Sequence, residues 1–194
     1  MLYTTALIVA LLVGADALTK SVICKTLVEA GGRMEFIPGL IRFEYTENTG
    51  MAWGLLKNGT LFLSVASGLA CVLIVFFLIK FGKKMPTLLR LAFAVVLAGA
   101  AGNLIDRVLL GYVRDFIAFD FVSFPIFNFA DSCVTVGAVM LAVSLLFTPS
   151  GRRFYASIGT QPETAAAETD TKTDTEAKAD TEAKAEADTV NKNE

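Results

Sequence analysis

Residues 61–79 read LFLSVASGLACVLIVFFLI, and only Ser64, Ser67 and Gly68 interrupt this run of apolar side chains. A helix of about 20 apolar residues is long enough to cross the hydrocarbon core of a bilayer. Three further runs approach or reach that length, at residues 2–18, 88–105 and 127–147. The sequence therefore predicts an all-α membrane protein built as a bundle of four transmembrane helices.

The composition supports a membrane protein and excludes several classes of soluble protein. Of the 194 residues, 54% are hydrophobic and 19% are charged, whereas about 25% of the residues of a soluble domain are charged. No basic stripe of the kind that binds nucleic acid is present. The chain has no histidine, which removes Ser-His-Asp and Cys-His catalysis and the usual zinc hydrolase sites. The three cysteines are far apart and form no CxxC pair, so we expect inert thiols at Cys24, Cys71 and Cys133.

The last part of the chain has a different composition. The unit DTEAKA occurs twice, at residues 174–179 and 180–185. Residues 161–194 carry 10 acidic residues and 4 lysines, net −6, which leaves net +4 for residues 1–160. A segment with so few apolar side chains cannot bury a core. We therefore expect a membrane domain at residues 1–158 and a disordered acidic tail at residues 159–194.

Lysine and arginine are unevenly distributed among the loops, and this bias predicts the orientation in the membrane. The loop between the second and third spans carries Lys80, Lys83 and Lys84 without an acidic residue, and Arg152 and Arg153 follow the fourth span. Both segments are expected in the cytoplasm, so both termini lie inside and the two longer loops lie outside. The first run starts MLYTT, without Lys or Arg, and further spans follow it. We interpret it as a retained helix rather than a cleaved signal peptide.

The loop between the first two spans, about 40 residues long, exceeds the length of a simple connector. Residues 34–45 alternate apolar and polar side chains on both sides of Pro38-Gly39, a pattern typical of a β-hairpin. Residues 51–56, with Trp53, are interpreted as a short amphipathic segment in the membrane interface. We therefore expect a small extracytoplasmic β element in this loop.

Three predicted spans carry polar residues near their outer ends. Residues three or four apart share one face of a helix, and an ionisable group inside a membrane marks a functional site by default. A structural role is the alternative for Asp16 with Lys20 and for Asp106 with Arg107, since Lys20 and Arg107 can reach the interface with their charged ends while acting as counter-ions. Asp131 has no basic neighbour on its own helix. The complete polar faces are Asp16 and Lys20 in the first span, Asn103, Asp106 and Arg107 in the third, and Asn128, Asp131 and Thr135 in the fourth.

Asp115 follows Val113 and Arg114 in a largely apolar stretch shortly before the fourth span. Two close aspartates share one proton, because they cannot both ionise easily. The ionised one can take a proton from water while the protonated one hydrogen-bonds a scissile carbonyl, which is the chemistry of aspartyl peptide hydrolysis. A proton-coupled transporter would use the same groups, and residue spacing does not decide between the two. A Ser–Lys protease is disfavoured, because Lys20 adjoins Thr19 and Ser21, and neighbours at that spacing do not face each other.

Five motifs within residues 1–150 favour the peptidase. They are DALTK at 16–20, NTGMAW at 48–53, GAAGNLIDR at 99–107, VRDF at 113–116 and FNFAD at 127–131. In order and location they resemble the signature blocks of the lipoprotein signal peptidases (signal peptidase II), bacterial aspartyl enzymes that remove signal peptides from lipid-modified prolipoproteins. Two departures are mild: Ala98 precedes Gly99 where the family often has two glycines, and Trp53 stands where phenylalanine is common.

The resemblance implies particular roles for nine residues. The catalytic pair falls on Asp115 and Asp131. The positions that contact or support the substrate fall on Asp16, Lys20, Asn48, Gly50, Asn103, Arg107 and Asn128.

The resemblance also implies the setting of the reaction. The substrate is a prolipoprotein with a diacylglyceryl-modified cysteine, cut on the N-terminal side of that cysteine. The expected location is the bacterial cytoplasmic (inner) membrane, with the active site near its outer, periplasmic face. No metal and no organic cofactor is implied. The expected partners are the substrate and membrane phospholipid, and the chain is expected to be a monomer.

Overall fold

The computed structural model describes residues 2–50 and 59–159. Within them lie four helices long and apolar enough to cross a membrane, which confirms the predicted number of spans. These are α1 (Leu2–Glu29), α2 (Thr60–Phe81), α3 (Thr87–Leu110) and α4 (Phe129–Ala142), the last extended by a π-helical turn at Val143–Phe147. The interfacial segment predicted at residues 51–56 and the tail predicted at residues 159–194 lie outside the part described, apart from the final residue of helix α5 (Pro149–Gly159).

Helix α1 is longer than the span predicted at residues 2–18, because it continues to Glu29. Asp16 and Lys20 do not end the helix, since they form an ion pair of 2.8 Å on one of its faces. That face also buries Cys24 and Leu27. The helix ends before Gly31 and Gly32, whose φ angles of 86° and 88° suit glycine because it lacks a Cβ atom.

Helix α3 is the central helix of the bundle. Of the most apolar 18-residue stretch of α3, 50% is buried inside the protein, whereas the corresponding share in the other three helices is 11–22%. Helices α1, α2 and α4 all pack against α3. Small residues allow these close contacts: a Cβ atom added at Gly102 would lie 2.5 Å from a carboxylate oxygen of Asp16, and one added at Gly137 would lie 2.6 Å from a methyl group of Val96.

A three-stranded antiparallel sheet lies at one end of the bundle. The hairpin predicted around Pro38-Gly39 is present as β1 (Arg33–Ile37) and β2 (Ile41–Asn48). The third strand, β3 (Val113–Phe119), comes from the segment between α3 and α4 and pairs with β2. Because α1 leads into β1 and α3 leads into β3, both helices end at this side of the bundle, called the sheet end below, where α4 begins.

The other end of the bundle has a separate apolar cluster. Leu78, Met85, Leu89, Leu97 and Phe154 are buried together there. The compact unit that contains all these elements ends at Phe154. The polar residues singled out above lie apart from this cluster, at the sheet end.

Candidate active site

Asp115 lies on β3 and is almost completely buried, with 1% of its surface exposed. Its neighbours Val113, Phe116 and Ala118 on the strand are also buried. Two amide groups donate hydrogen bonds to its carboxyl group: Asn48 Nδ2 to Oδ2 at 2.9 Å and Asn128 Nδ2 to Oδ1 at 2.6 Å. Both carboxyl oxygens are therefore held in a fixed orientation.

Asp131 lies in the first turn of α4, where Asn128 caps the helix. The Asn128 side-chain oxygen accepts a hydrogen bond from the Asp131 backbone N–H at 2.9 Å, and Asp131 Oδ2 accepts one from the Asn128 backbone N–H at 3.2 Å. This reciprocal pair is a capping box. Asn103 on α3 donates from Nδ2 to the other oxygen, Oδ1, at 2.7 Å. The carboxyl group of Asp131 is thus also bonded at both oxygens.

One side chain connects the two aspartates. Asn128 Nδ2 donates to Asp115, and Asn128 Oδ1 accepts from the Asp131 backbone. Phe127, the preceding residue, is bonded to Ile117 on β3 through N–H to carbonyl contacts of 3.0 and 2.8 Å. The start of α4 is therefore held beside β3, so that two aspartates 16 positions apart in the sequence share one amide partner.

Burial dominates the electrostatics of Asp115. The pKa of this carboxyl group is raised from 3.8 to about 7, chiefly by burial and in addition by the nearby charge of Asp131. The hydrogen bonds from Asn48 and Asn128 act the other way, since they stabilise the carboxylate. With a pKa of about 7, Asp115 keeps its proton in about half of the molecules at pH 7.

Asn48 is oriented by the loop that follows β2. The backbone N–H of Gly50 donates to Asn48 Oδ1 at 2.9 Å, which leaves the NH₂ group of Asn48 to face Asp115. All the side-chain hydrogen bonds described for the two aspartates come from three amide side chains, those of Asn48, Asn103 and Asn128.

Behind the aspartates lies a buried group of charged side chains. Lys20 bonds to Asp16 at 2.8 Å and approaches Asp106 at 3.4 Å. Lys20 is fully buried, so its ammonium acts as a counter-ion inside the protein and is not exposed at the surface. Asp106 bonds to the guanidinium of Arg114 at 2.7 Å and to its backbone N–H at 3.0 Å. That ion pair raises the pKa of Arg114.

Arg114 is the site residue that sequence reasoning missed. The spacing of Asp106 and Arg107 on one helix favoured those two as neighbours, whereas the structure bonds Asp106 to the strand that follows. The sequence did contain a local indication of this contact. Arg114 follows Asp106 by eight residues, and the helix end and Gly111 lie between them. The φ angle of Gly111, 84°, allows a sharp turn there. A helix end followed by such a turn brings the next strand back toward the last helical turn.

A cavity of about 700 Å³ opens beside the pair. Asn48, Arg107 and Asp131 lie along it, and Asp115 lies directly behind Asn48. The Nε of Arg107 is buried and makes no hydrogen bond within the described residues. The rest of the wall is mostly apolar and comes from α2, α4, the end of β3 and the segment between β3 and α4, including Leu63, Val136, Phe119, Phe124 and Ile126.

The arrangement brings every candidate residue predicted from the sequence into one place. Asp16 and Lys20 on α1 reach Asn103 and the start of α4, where Asp16 accepts a hydrogen bond from the Ala130 backbone N–H at 3.0 Å. Gly50 and Arg107 line the cavity. Chemically, the site offers two carboxyl groups, oriented amides and a guanidinium at the edge of an apolar cavity.

Comparison with known proteins identifies the family of the chain. A family model described as signal peptidase (SPase) II matches residues 8–147. The lipoprotein signal peptidase of Enterococcus faecalis is 43% identical over 140 residues, 72% of this chain and 86% of the relative. That of Staphylococcus aureus strain MRSA252 is 35% identical over 152 residues, 77% of this chain and 92% of the relative. A bacterial membrane enzyme solved by the in meso method at 1.9 Å matches with a TM-score of 0.66 and 34% identity, over 76% of this chain and 95% of that one. The chain therefore belongs to the signal peptidase II family, the lipoprotein signal peptidases, which are membrane proteases that cleave the signal peptides of prolipoproteins.

Proposed function

We propose that the chain is an intramembrane aspartyl endopeptidase that cuts diacylglyceryl-modified prolipoproteins on the N-terminal side of the lipidated cysteine. The observation that carries the proposal is the pair Asp115 and Asp131, joined by Asn128 at the edge of the cavity. Family membership favours peptide hydrolysis over proton-coupled transport, the alternative that the spacing of the acids left open.

Asp131 is the general base in this proposal. It lines the cavity, and its ionised carboxylate takes a proton from a water molecule as that water attacks the scissile carbonyl carbon. Asp115, the protonated member, donates its proton to the carbonyl oxygen as negative charge develops there. The tetrahedral intermediate carries two hydroxyl groups. It collapses when the C–N bond breaks, the proton on Asp131 passes to the leaving nitrogen, and one hydroxyl proton returns to Asp115 as the C=O bond re-forms, so that both acids regain their starting states. The products are a new carboxylate on the signal peptide and a free amino group on the lipidated cysteine.

Arg107 is the group we assign to substrate binding. Its Nε has no hydrogen-bond acceptor within the described residues although it is buried beside Asp131. A buried donor without an acceptor is costly, and a peptide carbonyl or lipid headgroup oxygen in the cavity would satisfy it. Asn48 and Gly50 also line the cavity, and in this proposal they contact the peptide from the end of β2 and the loop that follows it.

The substrate's lipid is the main source of binding energy in this proposal. Each buried CH₂ group of an alkyl chain contributes about 0.8 kcal/mol, so a diacyl anchor holds the substrate in the membrane independently of peptide contacts. The cavity wall includes Leu63 on α2 and Val136 on α4, two helices that are largely exposed to the surrounding bilayer. An anchored cysteine therefore approaches the acids from the lipid side.

We also propose an orientation of the protein in the membrane. The lysines that follow α2 favour a cytoplasmic α2–α3 loop, which directs the sheet end toward the outer, periplasmic face of the cytoplasmic membrane and leaves both termini inside. The substrate anchor and the acids then lie in the same leaflet. No cofactor, metal or second subunit takes part in the steps described.

The acid pair is tested by substitution in the purified protein in detergent. Asp115→Asn and Asp131→Asn should each abolish cleavage of a lipidated precursor, and the double variant should be no worse than either, because the pair acts as a unit. Asp120→Asn is the matched control, an aspartate just after β3 that pairs with Arg42, and should retain activity. Substantial turnover by Asp131→Asn would exclude the aspartyl mechanism.

The lipid requirement is tested with two precursors that differ only in the diacylglyceryl group. The lipidated precursor should be cleaved before its modified cysteine, and the unlipidated one scarcely at all. Chelators and serine-directed reagents should leave the rate unchanged. Equal cleavage of both precursors would contradict the role of the anchor, and inhibition by a chelator would contradict the mechanism.

A further inference from the structure

Lys20 is an unusual residue, a lysine with none of its surface exposed. Its ammonium has three donors and cannot accept a hydrogen bond. The three groups around it are Asp16 Oδ2 at 2.8 Å, Asp106 Oδ2 at 3.4 Å and Asn103 Oδ1 at 3.1 Å. Two of these contacts balance charge. The third connects the lysine to an uncharged amide that contacts Asp131.

The orientation of the Asn103 amide follows from its neighbours. Its oxygen accepts hydrogen bonds from Lys20 Nζ at 3.1 Å and from Asn128 Nδ2 at 3.0 Å. Its nitrogen donates to Asp131 Oδ1 at 2.7 Å. Rotating the amide by 180° would face its NH₂ group toward two donors and its oxygen toward a carboxylate. The donors on Lys20 and Asn128 therefore select together the orientation in which Asn103 donates to Asp131, and of the two Lys20 is the charged one and can only donate.

Charge balance alone does not account for the contact with Asn103. The carboxylate of Asp106 already accepts hydrogen bonds from the guanidinium and from the backbone N–H of Arg114. Asp16 also accepts the Ala130 backbone N–H at the start of α4. Among the charged groups of the described residues, Asp115 on β3 and Arg107 on α3 interact electrostatically with Asp131, and the charge of Lys20 lowers the pKa of Asp115. Lys20 reaches Asp131 through one intervening amide.

We propose that Lys20 is a positioning residue for the reaction: its buried ammonium fixes Asn103 with the NH₂ group toward Asp131, and so holds that carboxylate as a hydrogen-bond acceptor in the orientation a general base needs. The inference rests on the proposed function, since it assigns Asp131 the role of base. Lys20 touches no reacting atom. It acts through Asn103. Its removal leaves the acids in place, but the Asn103 oxygen then keeps only the neutral donor of Asn128 among the contacts described, so the amide is held less firmly toward Asp131.

The expected kinetic effect is on turnover rather than on substrate binding. Groups that orient a directly acting residue typically affect activity by about 10–100-fold, so Lys20→Met should lower kcat by at least about tenfold. KM should change by less than about twofold, because Lys20 lies behind the cavity wall formed by Asp131. Lys25→Met, which removes an exposed lysine of the same helix, is the control and should change neither constant.

A double-mutant cycle distinguishes positioning from a general structural effect. Asn103→Ala removes the amide through which Lys20 is proposed to act. In that background Lys20→Met should lower kcat by less than about twofold. If the two effects multiply fully, or if Lys20→Met alone leaves kcat unchanged or raises only KM, the positioning role is refuted.

Removing Lys20 leaves the carboxylate of Asp16 buried without its counter-ion, and the single variant is at risk of not folding. The variant Asp16→Asn/Lys20→Met removes both charges and keeps a side-chain oxygen for the Ala130 N–H. The cycle is therefore repeated with Asp16→Asn in every protein, so that the effect of Lys20→Met is measured with and without Asn103→Ala. A loss of kcat that disappears in the Asn103→Ala background supports the positioning role, and a loss that persists in full refutes it. Activity in Asp115→Asn or Asp131→Asn would instead defeat the proposed function, whereas inactive acid variants with an active Lys20→Met would defeat only this inference.

Discussion

The pKa of Asp115 predicts how cleavage depends on pH. Burial raises that pKa to about 7, and the mechanism requires Asp115 to be protonated. The active fraction should therefore fall as pH rises through about 7. With a pKa of about 7, roughly one molecule in ten is still protonated at pH 8 and about one in a hundred at pH 9, a tenfold loss for each unit.

The assay is the initial rate of cleavage of a lipidated precursor in detergent, measured from pH 5 to pH 9. The profile of kcat/KM reports the ionisations of the free enzyme, and because the two acids are coupled, its limbs belong to the pair. Asn48→Ala sharpens the test. Asn48 donates to Asp115 and lowers its pKa, so its loss should move the alkaline limb to higher pH even though the maximal rate falls.

Stability has to be separated from activity in this experiment. The pKa of Asp115 is raised in the folded protein, so its contribution to stability is fully present below the unfolded value near 3.8 and is lost as pH rises through about 7. Samples held at pH 9 and returned to pH 6.5 should recover their rate if the loss reflects ionisation alone. A kcat/KM that is constant or rising between pH 6.5 and pH 9 would refute the assignment of Asp115 as the protonated acid.

Three further predictions follow from individual contacts and from the charge pattern. Gly102→Ala should lower the free energy of unfolding by about 1–3 kcal/mol, measured by thermal denaturation in detergent, because the added Cβ would lie 2.5 Å from an Asp16 oxygen. Asn128→Ala should remove the α4 cap, at a cost of about 1 kcal/mol, and reduce kcat about a hundredfold, a larger loss of activity than of stability. A reporter fused after Lys84 should be cytoplasmic and one inserted near Glu29 external; the opposite labelling would place the site on the wrong face for lipoprotein processing.

The four membrane helices could be predicted because bilayer thickness imposes a length on any spanning segment. The end of α1 could not be predicted in the same way. Asp16 and Lys20 appear in the sequence as the polar limit of an apolar run, yet they neutralise each other on one face and the helix continues for nine residues beyond Lys20 to Glu29. Charge pairing between helix neighbours therefore extended the helix past the point where its apolar composition ends.

The alternation of apolar and polar residues predicted the hairpin but not the pairing of the third strand. β1 and β2 are joined by a short turn, so a local pattern predicts their pairing. β3 pairs with β2 across a gap that includes α2 and α3, with Thr46 opposite Asp115. Local periodicity contains no information about a partner so distant in sequence. The placement of Asp115 on a strand between Asn48 and Asn128 was for this reason beyond the reach of sequence patterns.

The candidate residues were predictable as a set, whereas their contacts were not. Helical spacing placed Asp16 with Lys20, and the structure contains that pair. Spacing also placed Asp106 with Arg107 on one face, but Asp106 bonds to Arg114 and Lys20 instead. An arginine on a helix has long reach and several possible directions, so the contacts of its side chain depend on which element lies next to that helix.

The burial of so many polar groups at the sheet end depends on small residues in the contacts between helices. At Gly99 an added Cβ would collide with the Ala130 carbonyl oxygen, and at Gly102 with Asp16. α3 can therefore approach α1 and the start of α4 closely enough for Asn103 to contact both Lys20 and Asp131. A larger residue at either glycine would separate these helices and admit water among groups that now bond only to one another. The glycines of the GAAGN motif thus act on the chemistry indirectly, because they set the distance over which a buried lysine can orient an amide beside a catalytic acid.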